Sequence, residues 1–564
     1  MTPKLRLLRL AVYALSLTFV CFAIIGGIHG YSPVPYWDMW GGTLGFISRF
    51  EDDPIRSLFA QHNEHRIVLS RLLFLIDEHL FDGDNAFLVI CNYVFAGLIW
   101  ATFTRCLFRL NPKHPHRSDL WLLAAILAAW LFLWAQRVNF TWAFQSQFYL
   151  AQWLPLLAFL SLGLALGKPQ IRSAYFISAL VLGGLSTLSM ANGLFVLPLM
   201  TLWAIVLRMR WKQVIVLASC ASFFAWLYLA DYQSPSAHSS VLGSLINAPL
   251  SVLHYTLTYL GNPGVYIAGS SMPVQWISKL GGLHLAGITI GLALHTLQKR
   301  DANPISAGLI LFLIFVLASA VVTASGRLEF GIVSVFSSRY TTPVLMAWAA
   351  VFCLASPMIL RHFSKGPREQ YGWLPSALLG LCVLLVGQTR ALQPMHAFNH
   401  NKAVAVLALE LGVRDTELVS LIHPNTDHAL KIAQIASDKD HGLFDRPEYD
   451  SLRDTIGGSI APPTDRSCSG RLEDILIIDD ETDFVRLTGW QHALRNTGKP
   501  ARLLILDPSG LVIGAALLGR PSPYLTDTFG RSGARAGFTG YVRRDRIDQP
   551  LTVISDACIW QDQF

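Results

Sequence analysis

Runs of apolar residues long enough to cross a hydrocarbon layer, about 18 to 22 residues each, recur from the N-terminus to about residue 389 and then stop. The pattern predicts eleven helices, at roughly 8–28, 85–108, 119–135, 146–167, 172–189, 193–208, 213–231, 276–297, 304–323, 341–360 and 373–389. The first follows Lys4, Arg6 and Arg9 and shows no small-residue cleavage site before Tyr31, so it reads as a retained span. Between the first two runs, RIVLSRLLFLIDEHLF (66–81) has the spacing of a helix lying along a membrane surface. Beyond residue 390 the texture changes. Val404, Leu407, Leu409 and Leu411 keep helical spacing within 400–455, and the Pro-rich APPTDR follows at 461–466. From Cys468 the runs ILII, ARLLIL, LVIGAALL and LTVIS, broken by DPSG, GRPSP and FGRSG, read as strands and turns. The expected fold is therefore mainly α: a polytopic helical membrane bundle over 1–390, a helical connecting region over 391–466 and an antiparallel β-sandwich domain over 467–564.

Composition agrees with this division. The chain is 52% hydrophobic and 14% charged, outside the range of a soluble enzyme. Its net charge of +7 is uneven, with 26 Lys and Arg against 14 Asp and Glu in residues 1–394, and 18 against 23 in 395–564. The basic balance thus belongs to short loops and does not imply a nucleic-acid partner. Lys and Arg crowd alternate loops, at 105–117, 168–172, 208–212, 299–300 and 361–368, which places those loops and the N-terminus in the cytoplasm. An odd number of spans then puts the C-terminal domain outside. Six of the eight cysteines fall in apolar runs. Cys468 and Cys558 alone lie in the soluble part, bracket the β-rich segment and are expected to form a disulfide.

The unusual polar clusters fall on the non-cytoplasmic side. PYWDMW (35–40) sets Asp38 between Trp37 and Trp40, and QHNEHR (61–66) gathers His62, Asn63, Glu64, His65 and Arg66. FTWAFQSQ (140–147) brings Gln145 and Gln147, SMANG (189–193) brings Asn192, and GRLEF with SSRYTTP brings Arg327, Arg339 and Tyr340. Asp38 reads either as a solvated or capping carboxylate beneath an aromatic belt, or as a general base. His62 and His65 are i, i+3 neighbours, which leaves a divalent metal ion open as a cofactor; without a third spaced ligand, hydrogen bonding or contacts to phosphate and sugar are the better reading. Arg327 and Arg339 suit either lipid head groups in general or bidentate capture of one lipid phosphate.

An acidic residue just beyond the first helix, a surface helix in the same loop, some eleven spans and a soluble C-terminal domain together resemble the GT-C superfamily, the integral-membrane glycosyltransferases that use polyprenyl-phosphate sugars. WDMW, HNEHR, FQSQF, SMANG and SRYTTP are similar to a group of bacterial membrane proteins of that general type. The likeness covers about residues 1–390. Asp38 has no second acid beside it, and Glu51, Asp52 and Asp53 come later. The resemblance implies a bacterial inner-membrane enzyme with a periplasmic C-terminal domain, a polyprenyl-phosphate sugar as donor, and a cell-envelope glycan or lipid as acceptor. Membrane lipids surround it. Asp38 with Glu64 would carry the chemistry, and Trp37, Trp40, His62, Asn63, His65, Arg66, Gln145, Gln147, Asn192, Arg327, Arg339 and Tyr340 would bind substrate. A polyprenyl phosphate leaves readily, so one base and positive charge on the phosphate suffice. The C-terminal segment resembles β-sandwich modules appended to bacterial cell-surface glycan enzymes. The competing functions are a translocase of lipid-linked glycan, disfavoured because the spans are nearly free of ionisable residues, and a non-catalytic envelope-assembly protein.

Overall fold

A computed structural model describes the chain except residues 1, 167–168, 234–239, 269–271, 300–302, 365–366, 461–467, 493–500, 556–557 and 563–564. The APPTDR linker and Lys168, Arg300 and Lys365 of the basic loops lie outside the described residues. The chain divides into two compact units. One comprises Met1–His29, Phe59–Arg71 and Leu88–Gln393, the other Gly30–Leu58, Leu72–Phe87 and Pro394–Phe564. The last change from one unit to the other lies between Gln393 and Pro394. Of the first loop, 30–58 and 72–87 fold with the C-terminal unit instead of with the spans.

The first unit is a helical bundle. Among the described residues, nine helices are long and apolar enough to cross a membrane, from Pro3–Gly30 to Gly372–Leu392. The chain is a multi-pass membrane protein. The two other expected spans are also helical, at Pro169–Thr187 and Val196–Val206, but they are not among the nine. The second, with its 3-10 first turn, is a continuous apolar helix over Ala191–Val206, shorter than the about 18 residues of a full span. Two further helices, Val241–Asn247 and Pro249–Leu260, occupy a stretch with no expected element.

With lipid on the outside, close approach of backbones takes the place of the hydrophobic drive between helices. Gly308 of Pro304–Gly326 illustrates this: a Cβ there would lie 2.8 Å from Leu160 Cα on the neighbouring helix Ser146–Leu164. Broken helices are repaired by buried amides. Where the helix Arg117–Leu131 stops, Gln388 Nε2 donates to Phe132 O (3.1 Å) and Phe19 O (2.9 Å), and its Oε1 accepts from Trp134 N (2.7 Å). Phe132 O and Trp134 N lie at the helix break, where such backbone groups need partners because water is absent.

The second unit is built on a seven-stranded antiparallel sheet of β1 (Ser469–Ile477), β2 (Phe484–His492), β3 (Ala501–Leu506), β4 (Val512–Arg520), β5 (Gly537–Arg543), β6 (Leu551–Ile554) and β7 (Ile559–Asp562), in the order β1-β2-β5-β4-β3-β6-β7. The expected β-sandwich is corrected here, because the described strands form one sheet whose two edges meet. Leu472 N of β1 donates to Asp562 Oδ2 of β7 (2.7 Å), and Cys468 N donates to Ile559 O (3.2 Å). One face of the rolled sheet encloses Leu487, Leu503, Ile505, Phe538, Val553 and Trp560. The other face packs Ala515, Leu517 and Tyr541 against Val404, Leu407 and Leu409 of the helix His396–Glu410. This is why LVIGAALL is apolar on both faces. Residues of the expected connecting region, from Ala403 to Leu452, therefore belong to this core. The 30–58 segment shares it through Val34, Trp40 and Leu44. Lys439 binds Glu51 (2.9 Å) and His441 faces Glu78 (3.3 Å), which ties both loop segments to the helical layer.

The expected disulfide joins Cys468 to Cys558 across 90 residues, with Cα atoms 5.6 Å apart. It closes the seam between the edge strands, where unpaired backbone groups would otherwise invite pairing with another chain. Cys558→Ser should lower the stability of this unit by about 2–4 kcal/mol, read as a lower unfolding temperature in calorimetry. An unchanged transition would mean that the hydrogen-bonded seam holds without the bond.

Candidate functional site

In the membrane unit the QHNEHR segment is a tight turn, not a helix. His62 and His65 exchange both backbone hydrogen bonds at 2.8 Å, and Asn63 takes a left-handed φ of 49°, a conformation that asparagine tolerates. Asn63 thus shapes the turn. Arg66 is spent on backbone: its guanidinium donates to the carbonyls of Phe59, Tyr228 and Ala230, and so fixes the turn to the end of the helix Trp211–Leu229. Arg66, expected to bind substrate, thus has a backbone acceptor at each guanidinium nitrogen. Gln61 repeats the tie through reciprocal bonds with Gln233.

This frame presents Glu64. Its Oε1 accepts from Arg327 (2.6 Å) and lies 3.4 Å from His65 Nε2, while Tyr228 OH donates to its backbone carbonyl (2.8 Å). Burial opposes ionisation of Glu64, but His65 and Arg327 outweigh it and hold the carboxyl down at about 2. Burial also pushes the His65 ring down to about 4, against the pull of Glu64. His65 Nδ1 accepts from Ala191 N (3.2 Å), so the neutral ring carries its proton on Nε2, toward Glu64. Glu64, expected to share in the chemistry, is paired with Arg327 and holds that guanidinium in place.

From Arg327 the cluster extends along SRYTTP. The guanidinium of Arg327 lies 5.8 Å from the Tyr340 ring and that of Arg339 5.3 Å from the same ring, with Tyr259 beside it at 5.5 Å. Asn139 secures the strip by donating to Arg339 O (3.0 Å) and Thr342 (2.6 Å). Arg339 differs from Arg327 in one respect. Among the described residues it has no carboxylate partner, and its buried Nε has no acceptor. Gln145 is fully buried with neither end of its amide bonded, and Gln147 Oε1 and Asn192 Oδ1 are likewise buried without partners. His62 packs edge-on against Phe144, next to Gln145, with centroids 5.2 Å apart. A cavity of about 180 Å³ adjoins the Arg66 tie, lined by Phe59, Leu188, Phe224, Leu227 and Tyr228. Among the described residues no group of three or more His, Cys, Asp or Glu is placed to hold a metal ion.

Asp38 belongs to the other unit. The turn before it is strained: Trp37, 44% exposed, has φ 50°, an outlier for a bulky residue, and its N–H is held by Ile422 O (2.6 Å). A π-helix, Trp40–Leu44, follows at once, a form found mostly at functional sites. Asp38 is half-buried, and no described side chain or backbone donor meets its carboxylate. Trp40, expected to touch substrate, is instead fully buried in the core. Two charged groups near this segment escaped the sequence pattern. Asp77, on the helix Val68–Phe81, lines a cavity of about 10 Å³ beside Met39 and Thr43, and burial pushes it up to about 7. Lys402, on the helix His396–Glu410, lies over the Tyr36 ring.

The chain matches no family model, no curated protein and no solved structure.

Proposed function

We propose that this protein is an integral-membrane glycosyltransferase of the GT-C kind, moving a sugar from a polyprenyl-phosphate donor to an acceptor of the bacterial cell envelope at the periplasmic face of the inner membrane. The observation that carries the reading is Arg339. In a strip where Glu64 already neutralises Arg327, Arg339 keeps a buried guanidinium nitrogen without an acceptor. A planar fork in that state suits a phosphate from outside the protein. The unbonded amide of Gln145 and the unbonded amide oxygens of Gln147 and Asn192 suit sugar hydroxyls.

In this reading Arg339, with Arg327 beside it, stabilises the charge that grows on the leaving phosphate as the acceptor oxygen replaces it at the sugar carbon; the acceptor's proton goes to a general base, the role for which the sequence offers Asp38. No strong acid is needed, because the phosphate leaves as an anion. Arg339→Lys keeps the charge and loses the fork. Transfer from extracted polyprenyl-phosphate sugars by protein in liposomes should show a rise in donor KM of about tenfold, in line with the loss of roughly one charge-assisted hydrogen bond. Undiminished transfer by Arg339→Lys and by Arg339→Gln would remove the phosphate assignment.

A further inference from the structure

Lys402 stands in the helix His396–Glu410, immediately before the buried run Ala403–Leu409, and is only 6% exposed. Among the described residues no carboxylate pairs with it. Its ammonium instead meets two aromatic rings, Phe398 at 5.1 Å and Tyr36 at 6.0 Å, and burial pulls it down to about 8. Ring faces attract a cation, but they replace a counter-ion only in part. A methionine of the same length would fill this slot without desolvating a charge. The lysine therefore works against the packing around it, as groups at binding sites do.

The same rings lead to the surface. Tyr36 is tilted at 51° against Trp37, centroids 6.0 Å apart. Trp37 in turn is exposed and held in its left-handed turn by the bond to Ile422, one residue before Asp38. An exposed indole backed by an enclosed ammonium is the pairing that recognises a sugar ring together with an acid group. We propose that Trp37, Tyr36, Phe398 and Lys402 form a binding subsite for an acidic saccharide, the indole stacking on the sugar ring and the Lys402 ammonium receiving a carboxylate or phosphate. That this saccharide is the acceptor rests on the transferase reading; the subsite itself does not.

Full-length protein in lipid nanodiscs is titrated calorimetrically with three probes: an oligogalacturonate, a neutral malto-oligosaccharide of equal length, and glucose 1-phosphate. At least one acidic probe should bind tenfold or more tighter than the neutral one, and the probe that does so identifies the acid group. Lys402→Met should abolish this preference while leaving the unfolding temperature unchanged or raised, and Trp37→Ala should weaken all sugar binding. Equal affinity of wild type and Lys402→Met for both acidic probes, or no binding of either, overturns the proposal. If Lys402→Met fails to fold, acylation of Lys402 in wild-type protein at pH 8 decides: saturating acidic probe should protect it, and unprotected labelling overturns the subsite. Transfer is read separately. Absent transfer with Lys402-dependent binding intact removes the transferase and leaves the subsite, and transfer without that dependence does the reverse.

Discussion

On the proposed transferase reading, Asp38→Asn should leave the protein inserted and folded and reduce sugar transfer by roughly 10² to 10⁴, the usual contribution of a positioned base. The carboxylate anchors nothing: no described donor meets it, and only its backbone carbonyl is engaged, by Gly42 N at 2.7 Å. An amide of nearly the same shape therefore keeps the strained Trp37 turn and the π-helix behind it. Asp38→Asn removes only the proton acceptor, so the loss should fall on kcat, with KM for donor little changed, because the donor phosphate is assigned to Arg339. Glu64→Gln should behave differently: it loosens Arg327 and should raise donor KM. Full transfer by Asp38→Asn in the liposome assay would sink the base assignment. A loss confined to KM would turn Asp38 into a binding group.

The helices of the membrane unit were legible in the sequence because lipid imposes a length and an apolar composition on each span separately. The pairings that decide the site were not. His65 meets Ala191 and Glu64 meets Arg327 across 126 and 263 residues. The expected topology set those segments on one side of the membrane, and Glu64, His65, Arg327, Arg339 and Tyr340 do lie together. It did not say which guanidinium Glu64 would neutralise, so Arg327 looked like the equal of Arg339. Arg66 shows the same limit: three backbone carbonyls occupy it, and carbonyls have no signature in a sequence.

In the C-terminal unit, strand spacing and the two cysteines were legible, whereas the sheet's closure was not. Alternation along a strand is the same in a sandwich and in a rolled sheet; the difference lies in whether β1 meets β7, a contact between Leu472 and Asp562, 90 residues apart. The membership of 30–58 was hidden for a related reason. Trp40 and Val34 bury against residues near 404–409, and nothing local in PYWDMW distinguishes a core tryptophan from a surface one. Lys402 and Asp77 were missed because a single charge in an apolar helix reads as a solvated face until its burial is known.

Asp415→Ala should destabilise the C-terminal unit by about 3–5 kcal/mol, the range for removing one partner of a buried pair. Asp415 is 1% exposed and carries three bonds at once: Oδ2 accepts from Arg486 of β2 (3.0 Å) and from Tyr541 OH of β5 (2.8 Å), and Oδ1 caps the short helix Thr416–Val419 through Leu418 N (3.1 Å). It therefore fastens the outer face of the sheet to the helical layer. Removing it leaves Arg486 with only Glu417, which is mostly exposed, and strands a phenol that burial already keeps from ionising. The pair's own net contribution is smaller than the loss, because both charges had to leave water. The combined change Asp415→Leu, Arg486→Met, Tyr541→Phe should accordingly recover most of the stability. Thermal unfolding of the full chain, with hydrogen exchange followed at Leu487 and Val542, reads both results. A change below about 1 kcal/mol for Asp415→Ala would mean that water reaches the pair and that apolar packing alone holds the helical layer to the sheet.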